Sequence, residues 1–304
     1  MKCWIDTDVA IGTGNATTGF ADVDDAYALL HLLSDPAHEV VGVSTVFGNT
    51  DIAQATRLAQ EICTTFAPQV PVYRGAAGPI DLRQVVSSDA TAALARRLAY
   101  DTLTIVAIGP ATNIGTLLLL RPDLAFNIRE VILVAGRRTP DQHFRVGPTH
   151  EPPFPDLNFD LDPDAFRVLL QHNVPVTLLP FEISHKVWFD AALLDRLDRL
   201  NKAGRYLASR SRDWLAQWRA YGCEGFNPFD VLATGYYLDP QAYASEDLPV
   251  RIALHPDDTR PGTAAFKPYL IAAPASGTPA RVRYVHTPPD DFAERLLRDL
   301  ARLP

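Results

Sequence analysis

The chain has 304 residues, of which 47% are hydrophobic and 21% charged, the composition of an ordinary globular protein with a large core. Its formal net charge is −8 and it has no run of Lys or Arg, which argues against nucleic acid or an anionic membrane as a partner. Three widely spaced cysteines, Cys3, Cys63 and Cys223, predict neither a disulfide framework nor a cysteine metal motif.

The first segment, MKCWIDTD, reads as a short apolar strand. It lacks the long apolar stretch and the small-residue cleavage site of a signal peptide. No apolar run elsewhere is long enough to span a bilayer. We therefore expect a protein of the reducing cytoplasm.

Short apolar runs and amphipathic stretches then alternate along the chain. The runs include CWI, EVVGVSTVF, LTIVAIG, EVILVAG and VPVTLLP, and the stretches include DDAYALLHLL, DIAQATRLAQEICTTF, ATNIGTLLLL and DPDAFRVLLQ. This alternation predicts βαβ units around a mainly parallel sheet. The runs are apolar almost throughout, which is typical of strands covered on both faces.

Beyond about Phe189 helical patterns dominate, and the short strands RIAL, PYLIAA and ARVRYVHT precede a closing helix, PDDFAERLLRDLARL. No repeat, low-complexity tract or long linker divides the chain. We therefore predict one α/β domain over residues 1–304, with an open Rossmann-like sheet flanked by helices and a helical C-terminal region. Two long loops, residues 9–23 and 137–155, are expected to be functional or disordered.

Carboxylates gather where the first strand ends and the next helix begins. Asp6 and Asp8 follow the strand, and Asp24 and Asp25 begin the helix. Ligands of open parallel sheets bind outside the carboxyl ends of the strands. Crowded carboxylates are unfavourable unless protons or a cation offset their charge, and an all-oxygen set favours Ca²⁺ or Mg²⁺ over zinc. For any single one of these residues, helix or strand capping is an equally good interpretation.

Other predicted strand ends also carry polar groups or tight turns. They are Phe47-Gly48-Asn49, Ile108-Gly109-Pro110, Asp156-Leu157-Asn158 and Pro228-Phe229-Asp230. Each alone has a structural explanation, because Gly permits a turn and Asn or Asp caps a helix.

Taken in order, these motifs resemble those of the inosine-uridine-type nucleoside hydrolases, from Trp4 to about Pro240. The matching blocks are DTD with DVDDAYAL, TVFGN, IGPATNIGTLLLLRPDL, DLNFDLDPDA, VPVTLLPFEISHKV and DVLATGYYLDP. The resemblance implies the nucleoside hydrolase fold and hydrolysis of the N-glycosidic bond of nucleosides to ribose and free base, in purine or pyrimidine salvage. It also implies a homodimer or homotetramer.

The resemblance implies a calcium site as well. Asp8 would bind calcium and activate a water, and Asp25, the main-chain carbonyl of Ile108 and the carboxylate of Asp230 would complete the protein ligands. Asp6 would support this group from behind. Such a metal orients a ribose diol and lowers the pKa of a bound water.

The ribose hydroxyls would be held by four matched residues, which are Asp24, Asn49, Asp156 and Asn158. Asn49 is counted with Asp8 and Phe229 as catalytic. Hydrogen bonds of this kind fix the sugar and stabilise an oxocarbenium-like transition state.

The sequence departs from the family pattern in four places. The turn between DTD and DD is expanded to residues 9–23, Ile108 stands where Thr is common, and Asp156 stands where Glu is common. Phe229 occupies the position at which many relatives have a His that protonates the leaving base. An aromatic ring can stack on a base but cannot donate a proton, so Phe229 favours purine nucleosides; packing in the core is its alternative role.

Several residues could replace the missing acid or add to the base site. His143 and His150 lie in the loop at 137–155, although a solvated surface position suits a loop histidine as well. His185 is expected to support packing. Trp214, Trp218 and Tyr221 have helical spacing and are interpreted as a packed helix face rather than as a base platform.

Two other functions compete with nucleoside hydrolysis. A haloacid-dehalogenase-type phosphohydrolase also begins with a strand and DxD, but it needs a suitably placed Lys, and Lys186 and Lys202 lie in unsuitable contexts. A non-catalytic protein that binds ribose or nucleosides is the second alternative, and the retained Asp8 argues against it. The base preference, the interface and the role of the 9–23 insertion are not determined by the sequence.

Overall fold

The computed structural model describes residues 1–151, 153–274 and 279–304. Its strands are β1 (Lys2–Thr7), β2 (Gly14–Asn15), β3 (Gly19–Phe20), β4 (Glu39–Thr45), β5 (Val72–Arg74), β6 (Leu103–Ala107), β7 (Ile128–Leu133), β8 (Val176–Leu178), β9 (Phe189–Asp190), β10 (Gly225–Phe226), β11 (Ala244–Pro256), β12 (Phe266–Ala272) and β13 (Arg281–Thr287).

Its helices are α1 (Asp24–Ser34), α2 (Ile52–Phe66), α3 (Asp89–Leu98), α4 (Thr112–Leu120), α5 (Leu157–Leu161), α6 (Pro163–Gln171), α7 (Phe181–Ser184), α8 (Ala191–Leu200), α9 (Lys202–Ala220), α10 (Phe229–Leu238) and α11 (Phe292–Leu300). Two 3₁₀ turns cover Pro122–Asn127 and Pro240–Ala242.

Within the described ranges, nine strands form one sheet in the order β12-β11-β13-β8-β7-β6-β1-β4-β5. From β13 to β5 neighbouring strands are parallel, and β11 runs antiparallel to both β12 and β13. The predicted mainly parallel α/β fold is confirmed. Strand order reverses at β1, because the chain moves outward through β4 and β5 and then returns to add β6 on the other side. Such a reversal opens a crevice at the carboxyl ends of the two central strands, β1 and β6.

The apolar runs form the buried strands because helices cover both faces of the sheet. Every residue of β6 is buried, as are the last five residues of β1. Several helices begin at side chains that cap their free N–H groups, and the expected helix start at Asp162-Pro163 is one of them: Asp162 accepts from Ala165 N–H. In contrast, the N-cap residues of α1 and α10, Val23 and Pro228, make no side-chain capping hydrogen bond. The first-turn aspartates of these two helices are therefore free to face the crevice.

The C-terminal region differs in one respect from the prediction. Helices α8 to α11 are present, but the tail strands add to the central sheet, a pairing that the sequence did not predict. The strand β13 pairs in parallel with β8, through Arg283 with Thr177 and Tyr284 with Leu178, and so extends the central sheet. Short apolar runs do not reveal which edge they join, because pairing depends on contacts over a hundred residues apart. None of the helices in the described ranges is both long and apolar enough to cross a membrane.

The insertion at residues 9–23 is a small hairpin, not an irregular loop. Its strands β2 and β3 pair antiparallel. The side chain of Gln217 on α9 makes two hydrogen bonds to the backbone of Phe20. The Phe20 N–H donates to Gln217 Oε1 at 2.8 Å, and Gln217 Nε2 donates to the Phe20 carbonyl at 3.3 Å. The hairpin is thus docked on α9 beside the crevice.

The loop at 137–155, of which residue 152 lies outside the described residues, folds back on itself. Phe144 and Phe154 form an isolated antiparallel bridge, with the Phe154 N–H donating to the Phe144 carbonyl at 2.8 Å. This bridge places both rings over the crevice.

Candidate active site

The crevice is built from side chains at the carboxyl end of β1, and Asp6 is its buried support. Asp6 pairs in register with Ser44 of β4 and with Ala107 of β6. Its Oδ1 accepts hydrogen bonds from the Ser44 hydroxyl and, at 2.8 Å, from Asn113 Nδ2. Burial raises the pKa of Asp6 to about 7, and these two hydrogen bonds oppose the shift. Asp6 is thus held by side chains of β4 and α4, and its support of the other carboxylates remains a prediction.

Three buried carboxylates meet where α1 and α10 begin. One oxygen each of Asp24, Asp25 and Asp230, here called the aspartate cluster, lie within 4.8 Å of one another. Asp24 Oδ2 also accepts the backbone N–H of Asp230 at 2.8 Å, which ties the two helix starts together. Residues 206 positions apart in sequence thus form one anionic site.

Burial and mutual repulsion together hold protons on this cluster. Burial raises the pKa of Asp25 to about 7, the charge of Asp24 adds to the shift, and the Thr7 hydroxyl opposes it. Burial and then the charges of Asp24 and Asp25 raise the pKa of Asp230 well above its ordinary value. Such crowding is relieved by protonation or by a bound cation.

Asp8 lies beside the aspartate cluster and is held by the loop that follows β4. Its Oδ2 accepts the backbone N–H of Asn49 at 2.6 Å. The same loop passes so close that a Cβ on Gly48 would lie 1.9 Å from Asp8 Oδ2. Burial and the charge of Asp25 raise the pKa of Asp8 well above its ordinary value. Gly48 is therefore required for a close approach between backbone and carboxylate.

The donor set fits a hard cation. In the part of the chain that the structure describes, Asp8 Oδ1 and Asp25 Oδ2 are buried without a hydrogen-bond partner. Buried carboxylate oxygens are normally paired, so these two atoms and the aspartate cluster suit an ion that prefers oxygen ligands. The structure groups Asp24 with Asp25 and Asp230. The sequence prediction instead named Asp8 as the metal ligand beside Asp25 and Asp230, and assigned Asp24 to the ribose hydroxyls.

Ile108 and Asn158 are joined to each other. Ile108 follows β6 and lies on the cavity wall, and its carbonyl accepts Asn158 Nδ2 at 3.0 Å. Asn158 Nδ2 also donates to the Val134 carbonyl at 3.1 Å. The amide nitrogen of Asn158 is thus engaged by backbone, and its Oδ1 is the atom left to face a ligand.

A cavity of about 380 Å³ opens from these carboxylates. On its polar side lie the predicted ribose residues Asp24, Asn49, Asp156 and Asn158, together with Asp22 and Asp230. Burial raises the pKa of Asp156 to about 7, against the attraction of Arg137. The Gly136 N–H donates to Asp156 Oδ2 at 2.8 Å. The cavity volume and the polar end suit a small, hydroxylated ligand.

Aromatic rings line the cavity as well. Six rings, here called the aromatic wall, line it: Phe144, Phe154, Phe181, Trp214, Trp218 and Phe229. Phe229 stacks on Phe181 with ring centroids 5.9 Å apart and is tilted against Trp218 at 6.2 Å. The wall offers flat apolar surface to a planar group.

The aromatic wall bears on how the sequence interpreted Phe229 and the two tryptophans of α9. Phe229 both packs on its neighbours and faces the cavity. Trp214 and Trp218 are buried on α9, as a packed helix face should be, yet they also line the cavity. The pattern of helical spacing identified the packed face but could not show that the face borders an empty volume.

No histidine of the described chain lines this cavity. His143 hydrogen-bonds through Nδ1 to Asp258 Oδ2 at 3.4 Å and borders a different cavity. His150 packs on Phe154, and His185 packs on Phe181, in both cases on the ring of a wall residue rather than within the cavity. The predicted packing role of His185 agrees with this position.

Sequence reasoning missed several contributors to the site. Asn113 was interpreted as a cap, but its side chain bridges Asp6 Oδ1, the Thr45 carbonyl and the Ala76 N–H. Asp22 was not singled out, although its motif, DVDDA, contained it. Phe144 and Phe181 gave no signal, because isolated aromatics in loops have no characteristic spacing.

Comparison with known proteins identifies the family and the relatives to which this chain is similar. The sequence model described as "Inosine-uridine preferring nucleoside hydrolase" matches residues 3–287. The pyrimidine-specific ribonucleoside hydrolase RihB of Shigella flexneri is 24% identical over 256 residues, which are 75% of this chain and 79% of that protein.

Two solved structures share the fold. A plant nucleoside hydrolase, PpNRh1, superposes with a TM-score of 0.77 at 20% identity, over 100% of this chain and 99% of its own. The purine-preferring ribonucleoside hydrolase from Gardnerella vaginalis superposes with a TM-score of 0.75 at 21% identity, over 99% of this chain and 97% of its own.

Proposed function

Since the chain belongs to the inosine-uridine preferring nucleoside hydrolase family, we propose that it hydrolyses the N-glycosidic bond of purine-type ribonucleosides with the help of Ca²⁺. Family membership makes it a ribonucleoside hydrolase, as the sequence motifs predicted. The observation that carries the finer proposal is that buried carboxylates and stacked aromatic rings line the same cavity. This arrangement matches a nucleoside, whose sugar is hydroxylated and whose base is flat.

The calcium proposal rests on the donor set. Asp24, Asp25 and Asp230 would hold the ion. Asp8, whose carboxylate interacts electrostatically with Asp25, and the carbonyl of Ile108, which borders the same cavity, are proposed as further ligands. When bound, Ca²⁺ orients vicinal hydroxyls and lowers the pKa of a coordinated water. All of these ligands are oxygens, which favours Ca²⁺ over a transition metal.

The carboxylates of this chain would also act on the sugar directly. Cleavage passes through an oxocarbenium-like state, in which positive charge develops on the ribose ring. Asp24, Asp156 and Asp230 line the cavity and would stabilise that charge. Asp8, fixed by the Asn49 N–H, would accept a proton from the attacking water.

The base would be bound by stacking. Phe229 has no proton to donate, and none of the described histidines reaches the cavity. Purines present a larger ring system than pyrimidines and stack more strongly on the aromatic wall. The relatives differ in preference, since one is named pyrimidine-specific and another purine-preferring.

A phosphohydrolase is the less suitable alternative. Four carboxylates line the cavity, and the described lining residues include neither Lys nor Arg. A phosphate group would meet these carboxylates without a Lys or Arg side chain to offset its charge. The same feature predicts that nucleoside 5′-monophosphates are poor substrates.

Release of free ribose tests the proposal. We expect purified protein with Ca²⁺ to release ribose from inosine faster than from uridine, and not to release phosphate from inosine 5′-monophosphate. Binding of inosine with no release of ribose over hours would instead assign the fold to a nucleoside-binding protein. Equal rates for inosine and uridine would remove the purine preference but leave hydrolysis in place.

A further inference from the structure

A buried guanidinium lies behind the cavity, outside the residues used above. The Arg137 side chain is 1% exposed. Its Nη1 donates to Asp258 Oδ2 at 2.8 Å and to the Gln142 carbonyl at 3.1 Å. Within the described chain its Nε and Nη2 have no hydrogen-bond partner. Burying an ion pair seldom adds net stability compared with apolar side chains of similar volume, so stability alone is a weak explanation for this arginine.

The guanidinium is sandwiched between two rings. Its Cζ lies 4.4 Å from the centroid of the Phe144 ring and 4.6 Å from that of Tyr269. Phe144 belongs to the aromatic wall and stacks on Phe181 with centroids 4.9 Å apart and planes 16° apart. Phe181 in turn stacks on Phe229. Arg137 therefore lies between Tyr269 and a run of three stacked rings, Phe144, Phe181 and Phe229, that line the cavity.

The backbone around Arg137 is fixed on two sides. Its N–H donates to the Leu270 carbonyl at 3.0 Å, and its carbonyl accepts the Ala272 N–H at 2.9 Å, so the segment is held on β12. The preceding Gly136 N–H donates to Asp156 at the polar end of the cavity. A rigid backbone leaves the guanidinium plane little freedom, and a planar cation held flat against a ring orients that ring.

Asp258 is the counter-charge that keeps Arg137 in place. Lys267 Nζ lies 2.9 Å from Asp258 Oδ1 and 2.5 Å from Asp160 Oδ2. Burial alone would raise the pKa of Asp258, but hydrogen bonds from Arg137 and Lys267 outweigh it and hold that pKa well below its ordinary value. The carboxylate thus stays charged and anchors the arginine from the side away from the cavity.

We propose that Arg137 is a positioning residue for the nucleobase: its guanidinium holds Phe144 in the plane that the base stacks on. This proposal rests on the proposed function, because it names the wall that a base would contact. It assigns Arg137 no contact with the substrate and no role at the aspartate cluster. The stack from Arg137 to Phe229 should therefore influence affinity for the base and leave affinity for the sugar unchanged.

Binding of the two products, measured separately, tests the proposal. We would titrate free hypoxanthine and free ribose into the wild type and into Arg137→Met, following Trp fluorescence, since Trp214 and Trp218 line the cavity. The expected result for Arg137→Met is a hypoxanthine dissociation constant raised about tenfold, the range of a desolvated cation–π contact. Because the charge of Arg137 also acts on Asp156, ribose affinity is compared in Arg137→Lys, which keeps that charge, and should stay within about twofold of the wild type. Calorimetric Ca²⁺ affinity should also stay unchanged.

Two further variants separate positioning from stability. Arg138→Met is the matched control, because Arg138 also lies over a ring, that of Tyr284 at 4.5 Å, but Tyr284, unlike Phe144, does not line the cavity. Arg137→Lys retains the charge toward Asp258 but not the planar stack, so it should restore thermal stability without restoring hypoxanthine affinity. Phe144→Leu should weaken hypoxanthine binding to a similar extent and covers the case in which Arg137→Met does not fold.

Other outcomes would overturn the proposal. Hypoxanthine and ribose affinities that fall together in Arg137→Lys, or a loss in Arg138→Met equal to that in Arg137→Met, would make the arginine a general stabiliser. Full recovery of base affinity in Arg137→Lys would show that charge alone matters. Failure of the wild type to release ribose would contradict hydrolysis, but the binding measurements would still decide the role of Arg137.

Discussion

Asp8 Oδ2 lies 2.6 Å from the backbone nitrogen of Asn49, so the carboxylate after β1 is oriented by the loop after β4. The other oxygen of Asp8 is buried and has no partner among the described residues. One oxygen is thus fixed and the other is available for chemistry. The pairing of two strand ends at the crevice is what makes this arrangement possible.

Asp8→Asn should abolish turnover while the fold is retained. An Asn side chain still accepts the Asn49 N–H through its Oδ1, but it cannot take a proton from water. Loss of a general base lowers kcat by about a hundred- to ten-thousand-fold. The measurement is kcat for inosine with saturating Ca²⁺, accompanied by circular dichroism. Retention of more than about a tenth of wild-type kcat would remove Asp8 from the mechanism.

Gly48→Ala should reduce kcat nearly as much as Asp8→Asn does, although it changes no carboxylate. The added Cβ would lie 1.9 Å from Asp8 Oδ2, so either the loop or the carboxylate must move. A displacement of about 1 Å at a catalytic group lowers the rate by about a hundredfold. Gly78→Ala is the matched control, because a Cβ there meets nothing within 4 Å. If both variants keep wild-type kcat, the close approach at Gly48 has no catalytic importance.

Calcium should stabilise the protein more at pH 8 than at pH 5. Burial raises the pKa of Asp25 from 3.8 to about 7, and that of Asp6 likewise to about 7. In the metal-free protein the folded state therefore binds more protons than the unfolded state between about pH 4 and about pH 7. The stability that these protonated groups contribute is full below about pH 4 and is lost as the pH rises through about 7.

A cation replaces those protons, and its binding is favoured as they leave. The test is the difference in Tm with Ca²⁺ and with a chelator, measured at both pH values. Asp230→Asn, which removes one charge of the aspartate cluster, should reduce the difference at pH 8. An equal calcium effect on Tm at both pH values would show that these carboxylates do not bind the ion.

Phe229→Ala should slow inosine hydrolysis more than uridine hydrolysis. Phe229 stacks on Phe181 and lines the cavity, so its removal takes away surface on which a base can stack. We expect kcat/KM for inosine to fall about two- to tenfold more than kcat/KM for uridine, the rate factor that corresponds to the loss of one aromatic pair. Cleavage of p-nitrophenyl riboside, whose leaving group needs no proton, should change little. The measurement is kcat/KM for all three substrates.

Phe126→Ala supplies the control for that experiment, because this ring is 92% exposed and takes no part in the cavity. Equal slowing of the three substrates by Phe229→Ala would mean that the ring supports the neighbouring Asp230 structurally. His143 and His150, which contact the outer face of the site, would then be the next residues to substitute.

The sequence by itself determined the α/β class, the mainly parallel sheet and the carboxylates that meet at its edge. Strand and helix periodicity are local properties, and a strand end followed by Asp or Asn has the same meaning in any parallel sheet. For this reason Asp6, Asp8 and Asn49 could be named before their positions were known. Asp24, Asp25, Asp156, Asn158 and Asp230 lie at the starts of α1, α5 and α10 and were named from the motifs. The roles of all these residues remain predictions.

Tertiary structure alone decided what surrounds those carboxylates. Trp214 and Trp218 have the spacing of a packed helix face, and only the docking of α9 places them on a cavity. Asn113 reaches Asp6 across 107 residues, and Arg137 reaches Asp258 across 121. Contacts at such separations depend on which strands pair and which helices pack, and no local pattern encodes that choice. The base preference proposed here therefore follows from packing, whereas the chemistry at the sugar follows from the motifs.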